Sequence, residues 1–219
     1  MNSRPRFLIT AGPTREKIDP FRFISNPSSG KMGYAAAAAA AERGFPVVLV
    51  SGPVALAAPA GVELVKVVSA RDMRAAVLRR FPETDAVIMA AAVSDFRPRA
   101  PRRSKIKKTG RGLVLDLVPN PDILAELGRR KGRRVLIGFA AETDNLIDGA
   151  RSKLNNKNLD LIVGNDISEP GSGFGSETNR VVVVGRSGEV ERWPLLSKQE
   201  VAARLVEYAV RIYEEKIRS

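Results

Sequence analysis

The sequence predicts an α/β fold built on a doubly wound, mostly parallel sheet, and three observations carry the prediction. Six short runs are near-continuously apolar and rich in Val and Ile: RFLIT (6–10), PVVLV (46–50), ELVKVV (63–68), DAVIMAA (85–91), RVLIGFA (134–140) and DLIVG (160–164). Strands buried on both faces read this way. Helical patterns fall between them at about 29–43, 70–81, 121–130 and 145–157, and such alternation implies parallel strands joined by crossovers. Capping residues and glycines sit at the ends of the patterns, where helices start and stop.

Taken in order, the first helix has Ser28 or Ser29 as its expected N-cap, a run of seven alanines within it, and Gly44 just past its end. The second opens on SARD, where Ser69 can cap. Near the C-terminus RVVVVGRSGEVERWPL reads as a hairpin, with arms at 180–185 and 189–193 around RSG. A final amphipathic helix at about 198–217 closes the domain. One segment breaks the rhythm: SDFRPRAPRRSKIKKTGRG, 94–112, is polar, basic and Pro-interrupted, and is expected to be a long mobile loop. No fixed-period repeat is present. The expected whole is a single domain over 1–219, Rossmann-like, with a C-terminal hairpin and a basic flap at about 97–111.

Composition narrows the chemistry. There is no cysteine, which removes disulfides, thiolate metal sites and a Cys nucleophile, and no histidine, which removes the commonest general base and metal ligand. Lys, Arg, carboxylates, amides and backbone dipoles are left to do the work. No window reaches the roughly 18 apolar residues of a membrane span, and MNSRPRF lacks the apolar stretch of a signal peptide, so a cytosolic, soluble protein is expected. The formal charge of +12 points to anionic partners: nucleic acid, an anionic membrane or a phosphorylated small molecule.

ISNPSSGKMG, 24–33, looks like a phosphate-binding loop. It is not a Walker A loop, because Met32 follows Gly30 and Lys31 and Ser25 stands where the first glycine belongs. Nor is it a strict G-x-G-x-x-G, since Gly30 and Gly33 supply only the last half. The physical case is that Gly12, directly after the first strand, permits close backbone approach, while Ser28, Ser29 and Gly30 open a helix whose N–H groups and dipole suit an anion. Gly33 would let that helix sit tightly on the sheet. A capped helix with a small-residue face and no ligand fits the spacing equally well.

ITAGPTREKIDPFRFISNPSSGKMG, followed in order by AAAVSDFRP, KIKK, PNPDIL, GFAAET and KNLDLIVGND, resembles phosphopantothenoylcysteine synthetase of the bacterial type. That type is usually the C-terminal half of a bifunctional coenzyme A biosynthesis protein, and the resemblance runs from Leu8 to about Tyr213. It implies a ligase that joins 4′-phosphopantothenate to L-cysteine. CTP activates the carboxylate as an acyl-cytidylate, pyrophosphate leaves, and the cysteine amine displaces CMP. The chemistry needs no protein nucleophile, so positioning and charge neutralisation suffice. The resemblance further implies Mg²⁺, a homodimer with shared active sites, and a flavin-dependent decarboxylase as a fused or separate partner. No membrane or nucleic acid is expected as a partner.

The family pattern also implies roles residue by residue. Gly12, Ser28, Gly30 and Gly33 correspond to the loop around the nucleotide phosphates. Asn26 matches an asparagine that helps turn the acyl intermediate over, and an Asx-turn before Pro27 is its plainer reading. Arg22 matches an arginine reaching the substrate phosphate from the neighbouring subunit. Ala91 and Ala92 match small residues that let substrate approach a strand end, and Asp95 a carboxylate near the triphosphate and its cation. Lys105 of KIKK matches a flap lysine that stabilises the transition state. Phe139, Lys153, Lys157 and Asn165 correspond to nucleotide contacts, with Lys153 and Lys157 one turn apart on a helix. Asp122 and Ile123 are expected near the base.

Two positions depart from the common pattern: Pro27 where His is frequent, and Thr109 where glutamine often follows KIKK. Two other classes compete on composition. A basic nucleic-acid module would explain the charge, but aromatics are only 5% and no reading motif is present. A nicotinamide-dependent reductase would share the sheet, but it expects an acidic residue ending the second strand, where Ser51 and Gly52 stand.

Overall fold

The computed structural model describes residues 4–110, 112–142, 146–166 and 175–218. The expected helix start at residue 145 and the flap's far end at residue 111 lie outside them.

The chain runs through β1 (Phe7–Ala11), β2 (Arg15–Lys17), β3 (Phe23–Ser25), α1 (Lys31–Glu42), β4 (Val47–Ser51), β5 (Val62–Lys66) and α2 (Ala70–Arg80). It continues through β6 (Ala86–Met89), β7 (Phe96–Pro98), β8 (Leu117–Pro119), α3 (Ile123–Arg129), β9 (Val135–Glu142), α4 (Leu146–Asn156) and β10 (Leu161–Asp166). It closes with β11 (Thr178–Asn179), β12 (Val181–Gly185), β13 (Val190–Arg192), β14 (Leu196–Ser197) and α5 (Lys198–Arg218).

The six apolar runs become the six parallel strands of one eight-stranded sheet, ordered β13-β12-β10-β9-β6-β1-β4-β5. β12 joins β10 antiparallel and β13 pairs with β12, so the C-terminal hairpin forms as expected. β1 lies near the centre, with Ile9 opposite Leu49 on one side and Ile88 on the other. Its side chains alternate between two cores. Phe7, Ile9 and Ala11 pack under α1 and α5, while Leu8 joins Met73, Val77, Leu127 and Leu154 from α2, α3 and α4 on the opposite face. This is the doubly wound arrangement the sequence predicts.

The helix ends follow local chemistry. Ser69 caps α2 in a reciprocal box, accepting from Asp72 N at 3.2 Å while its own N–H donates to Asp72 Oδ2 at 2.9 Å. α1 is different from expectation: its N-cap is Gly30, in the left-handed region with φ +81°, and no side chain caps it. Ser28 Oγ instead accepts from Gly30 N at 3.3 Å, closing the turn before the helix. That leaves the first N–H groups of α1 uncapped by any side chain among the described residues.

Three short strand pairs lie outside the main sheet. β2 and β3 form a hairpin, β7 pairs with β8, and β11 pairs with β14. The second pair corrects the expected loop over 94–112, since Phe96–Pro98 are strand and the flap is the long connection of a hairpin whose base is zipped to Leu117–Pro119. Arg99 N continues the ladder to Asp116 O at 2.9 Å, with the two side chains paired at 2.6 Å.

Candidate active site

A cleft of about 410 Å³ opens at the C-terminal ends of β6, β9 and β10, against the loop that enters α1. The chain runs outward from β1 through α1 to β4 and β5, then crosses back through α2 to β6 on the other side of β1, and open α/β sheets bind ligands at such a switch point.

The end of β6 forms the floor. Ala91 N donates to Thr10 Oγ1 at 3.2 Å and Ala92 N to Gly12 O at 2.9 Å, so this strand end is stitched to the end of β1. Asn26 Nδ2 then donates to Ala92 O at 3.2 Å and Val93 O at 3.3 Å, holding the α1 entry loop against the floor. With its nitrogen occupied by main-chain carbonyls, Asn26 has Oδ1 as the atom to offer a ligand.

Gly12 and Gly33 shape the loop from beneath and do not line the cleft. Gly12 has φ +75°, and a Cβ there would lie 3.0 Å from Val54 Cγ1. A Cβ on Gly33 would fall 2.5 Å from Ala11 Cβ, which is the tight helix-to-sheet contact the sequence suggests. Gly30 and Ser28 do line the cleft, as do Ala91, Ala92 and Asp95.

The opposite wall comes from α3, α4, β9 and β10, which bring Asp122, Ile123, Phe139, Lys153, Lys157 and Asn165 to the same space. Asp122 caps α3 through Ala125 N at 2.9 Å and pairs with Lys157 Nζ at 2.9 Å. Burial pushes its carboxyl up, but the Ala125 N–H and the Lys157 ammonium more than offset this and hold it below the ordinary value.

Arg22 and Lys105 do not line this cleft. Arg22 Nη2 donates to Ile106 O at 2.6 Å, and the Lys105 ammonium lies 5.0 Å from the centre of the Phe21 ring. Both sit on the arm made by the β2–β3 hairpin and the flap.

Several cleft residues escaped the sequence reading. Asn120 donates from Nδ2 to Ser94 O at 2.8 Å, bracing the turn after β6. Lys31 is held by Glu177 and by Gly175 O at 3.2 Å. Lys198 lines the cleft although only 4% exposed, and burial, reinforced by the Lys31 charge and opposed by Glu177, lowers its pKa. Beside them Ser94 Oγ and Asn179 Oδ1 are buried with no hydrogen-bond partner among the described residues. One signal for Lys198 was available: a lysine at the first position of a helix opposes the helix dipole, and such local violations mark functional sites.

Among the described residues no cluster of three His, Cys, Asp or Glu side chains could hold a metal. The exposed Asp95 carboxylate makes no hydrogen bond or ion pair there, and one free carboxylate at the edge of a cleft roomy enough for a phosphorylated ligand fits a Mg²⁺ that takes its remaining ligands from phosphate and water. No described helix is long and apolar enough to cross a membrane.

Known proteins share this architecture. The coenzyme A biosynthesis bifunctional protein CoaBC of Bacillus subtilis (strain 168) is 49% identical over 201 residues, 91% of this chain and 50% of that protein. A cysteine/cysteine sulfinic acid decarboxylase from an unknown prokaryotic organism is 48% identical over 94% of this chain and 58% of its own length. The chain thus spans about half the length of the curated relatives it matches. The crystal structure of the C-terminal domain of CoaBC superposes with a TM-score of 0.83 at 44% identity, covering 96% of each chain. Residues 3–212 match the family described as the DNA/pantothenate metabolism flavoprotein C-terminal domain, and the chain belongs to that family.

Proposed function

We propose that this chain is a phosphopantothenate–cysteine ligase of coenzyme A biosynthesis that uses CTP. The observation that carries the reading is the 44% identity and 0.83 TM-score to the C-terminal domain of CoaBC over 96% of both chains. The cleft supports it, because residues spread from Asn26 to Asn165 converge there with no Cys or His among them. A reaction run by positioning and charge suits that inventory.

In this reading the uncapped N–H groups at the start of α1, with Ser28 and Gly30, receive the triphosphate, and Lys153 of α4 and Lys157 just past its end hold the nucleotide. Ala91 and Ala92 let the pantothenate carboxylate approach the α-phosphorus. A P–O bond forms there as the bond to pyrophosphate breaks. Asp95 would hold Mg²⁺, which when bound neutralises charge on the phosphate oxygens. The cysteine amine then attacks the acyl carbon, a C–N bond forms, CMP leaves and the amine loses a proton. Asn26 Oδ1 accepts a hydrogen bond from that amine and orients it, because its Nδ2 is already committed to Ala92 O and Val93 O. Lys105 and Arg22 enter from the arm.

The arm also suggests the assembly. Phe21, Phe23 and Phe96 are exposed on it, at 68%, 46% and 52%, and a two-fold dimer would cover them and carry each arm to the neighbouring cleft. The relatives' greater length supports a decarboxylase as the fused or associated partner. Pyrophosphate release with phosphopantothenate, cysteine and each nucleotide in turn tests the reading. Release that prefers CTP is expected, and no release with any nucleotide would overturn it.

A further inference from the structure

We infer that Asp19 is a positioning residue that sets Arg22 and Lys105 as one unit. The inference rests on the ligase reading for its catalytic consequence.

The carboxylate of Asp19 is 2% exposed, although it sits in the turn between β2 and β3. Its two oxygens serve different partners. Oδ1 accepts from Phe21 N at 2.8 Å and Arg22 N at 2.9 Å, which closes the turn and fixes the backbone that carries Arg22. Oδ2 accepts from Ile106 N at 3.1 Å, a residue of the flap 87 positions away in sequence. Ile106 follows Lys105 directly, so this bond fixes the backbone that carries Lys105.

Two further contacts close the unit. Arg22 Nη2 donates to Ile106 O at 2.6 Å, so the peptide groups of Ile106 are gripped from both sides, by Asp19 at the N–H and by Arg22 at the carbonyl. Arg102 N donates to Ile18 O at 2.8 Å, adding a rung nearer the flap's base. The three N–H bonds also hold the Asp19 carboxyl below its ordinary pKa against the opposing effect of burial. No other buried group links the turn to the flap in this way among the described residues. Asp19 touches neither the cleft nor its floor. Its influence on the reaction therefore runs through the placement of Arg22 and Lys105, and a flap set before substrate arrives loses less freedom in reaching the transition state.

Asp19→Asn puts an amide where two oxygens now accept from three N–H groups, and Ile106→Pro removes the flap's N–H and restricts the backbone at 105 and 106 while leaving every residue of the turn in place. Trypsin can cut the flap of either variant after Arg102, Arg103, Lys107 and Lys108; the Lys105 site is set aside because proline at 106 blocks it. In both variants cleavage there should be at least about tenfold faster than in wild type, because exposure to protease follows local opening. This arm needs no turnover and stands if the ligase reading fails. In the ligase assay Asp19→Asn should lower kcat about tenfold with the Kd for CTP within twofold, and should cost clearly less than that on a Lys105→Gln background, where only the placement of Arg22 is left to lose. Wild-type cleavage rates in Ile106→Pro, or losses in the double variant that multiply as independent ones do, would overturn the inference. If Asp19→Asn fails to fold, Ile106→Pro combined with Lys105→Gln carries the same test.

Discussion

Asn26 Nδ2 donates to Ala92 O across a gap of 66 residues and to Val93 O beside it, and this pair of bonds joins the loop that enters α1 to the floor of the cleft. Replacing Asn26 with Asp sets an anionic acceptor against two carbonyls, and replacing it with Ala removes the tie. Both should slow amide formation more than cytidylate formation, with kcat lowered about 100-fold, as losing one positioned hydrogen-bonding group commonly does. Quenched reactions should show acyl-cytidylate accumulating on the variants. Full turnover with wild-type levels of the intermediate would remove Asn26 from the chemistry.

Lys105 lies away from the cleft of its own chain, so its contribution should be confined to the closed arrangement. Lys105→Gln is expected to lower kcat about 100-fold while the Kd for CTP moves less than about threefold. Single-turnover kinetics and direct titration separate the two. A Kd that weakens as far as kcat/KM falls would make the lysine a plain binding group.

Because Asp19 and Ile106 bind Arg22 and Lys105 into one arm, the two should cross a dimer together. Arg22→Ala mixed with Asp95→Ala after co-refolding should recover roughly a quarter of wild-type sites, since one site of each heterodimer is intact. Lys105→Gln mixed with Asp95→Ala should recover the same share. Arg22→Ala mixed with Lys105→Gln should recover none, because every site then receives one defective arm. Recovery in that last mixture, with heterodimers counted by mass, would place the two residues in different sites.

Gly33→Ala sets helix propensity against a clash. Alanine favours a helix interior by about 1 kcal/mol, but its Cβ would stand 2.6 Å from Thr10 O and 2.5 Å from Ala11 Cβ. The clash should prevail, with a net loss of about 2 kcal/mol in urea unfolding. An unchanged midpoint would mean that α1 can lift off β1.

At the other end of the sheet Lys131, 5% exposed, donates to Asp160 at 2.6 Å, and Lys216 shares that carboxylate at 2.7 Å. Burial lowers its pKa from 10.5 to about 8, with Asp160 opposing the fall and Lys216 adding to it. The folded state therefore gives up this proton first. Below about 8 the cost of burying the charge is fully present, and between there and 10.5 the unfolded chain holds more protons, so stability rises with pH. Measured as the difference from Lys131→Met, which cancels other titrations, the gain should reach up to about 3 kcal/mol. A flat difference would show that the lysine stays charged when folded.

The parallel sheet was legible because strands buried on both faces must be apolar throughout, and RFLIT or DAVIMAA has no other ready home. The arm was not, because β2, β3, β7 and β8 are three residues each, too short to show a period, and β2 (REK) and β7 (FRP) carry charge where a core strand would carry Val. Their stability comes from long-range contacts such as Glu16 to Ala70 N, which leave no periodic trace. The cap of α1 was misread for a related reason. Ser28 and Gly30 both suit a helix start, and only the backbone shows that the glycine's positive φ ends the turn. The same distance in sequence hid Asn179 and Lys198, which meet the loop at Met32 and Lys31 only after the chain has folded.

The pairing of α1 with α5 bears on how the protein is made. The alanine face of α1 is sealed by Val201, Leu205, Val206 and Ala209, and Arg43 reaches Glu207 across the seam. Those residues are translated roughly 160 positions after α1 ends, so a nearly complete sheet leaves the ribosome with that face covered by α1 alone. Until α5 emerges, the bare strip of Ala and Val is what a nascent-chain chaperone, or a second unfinished copy, would meet.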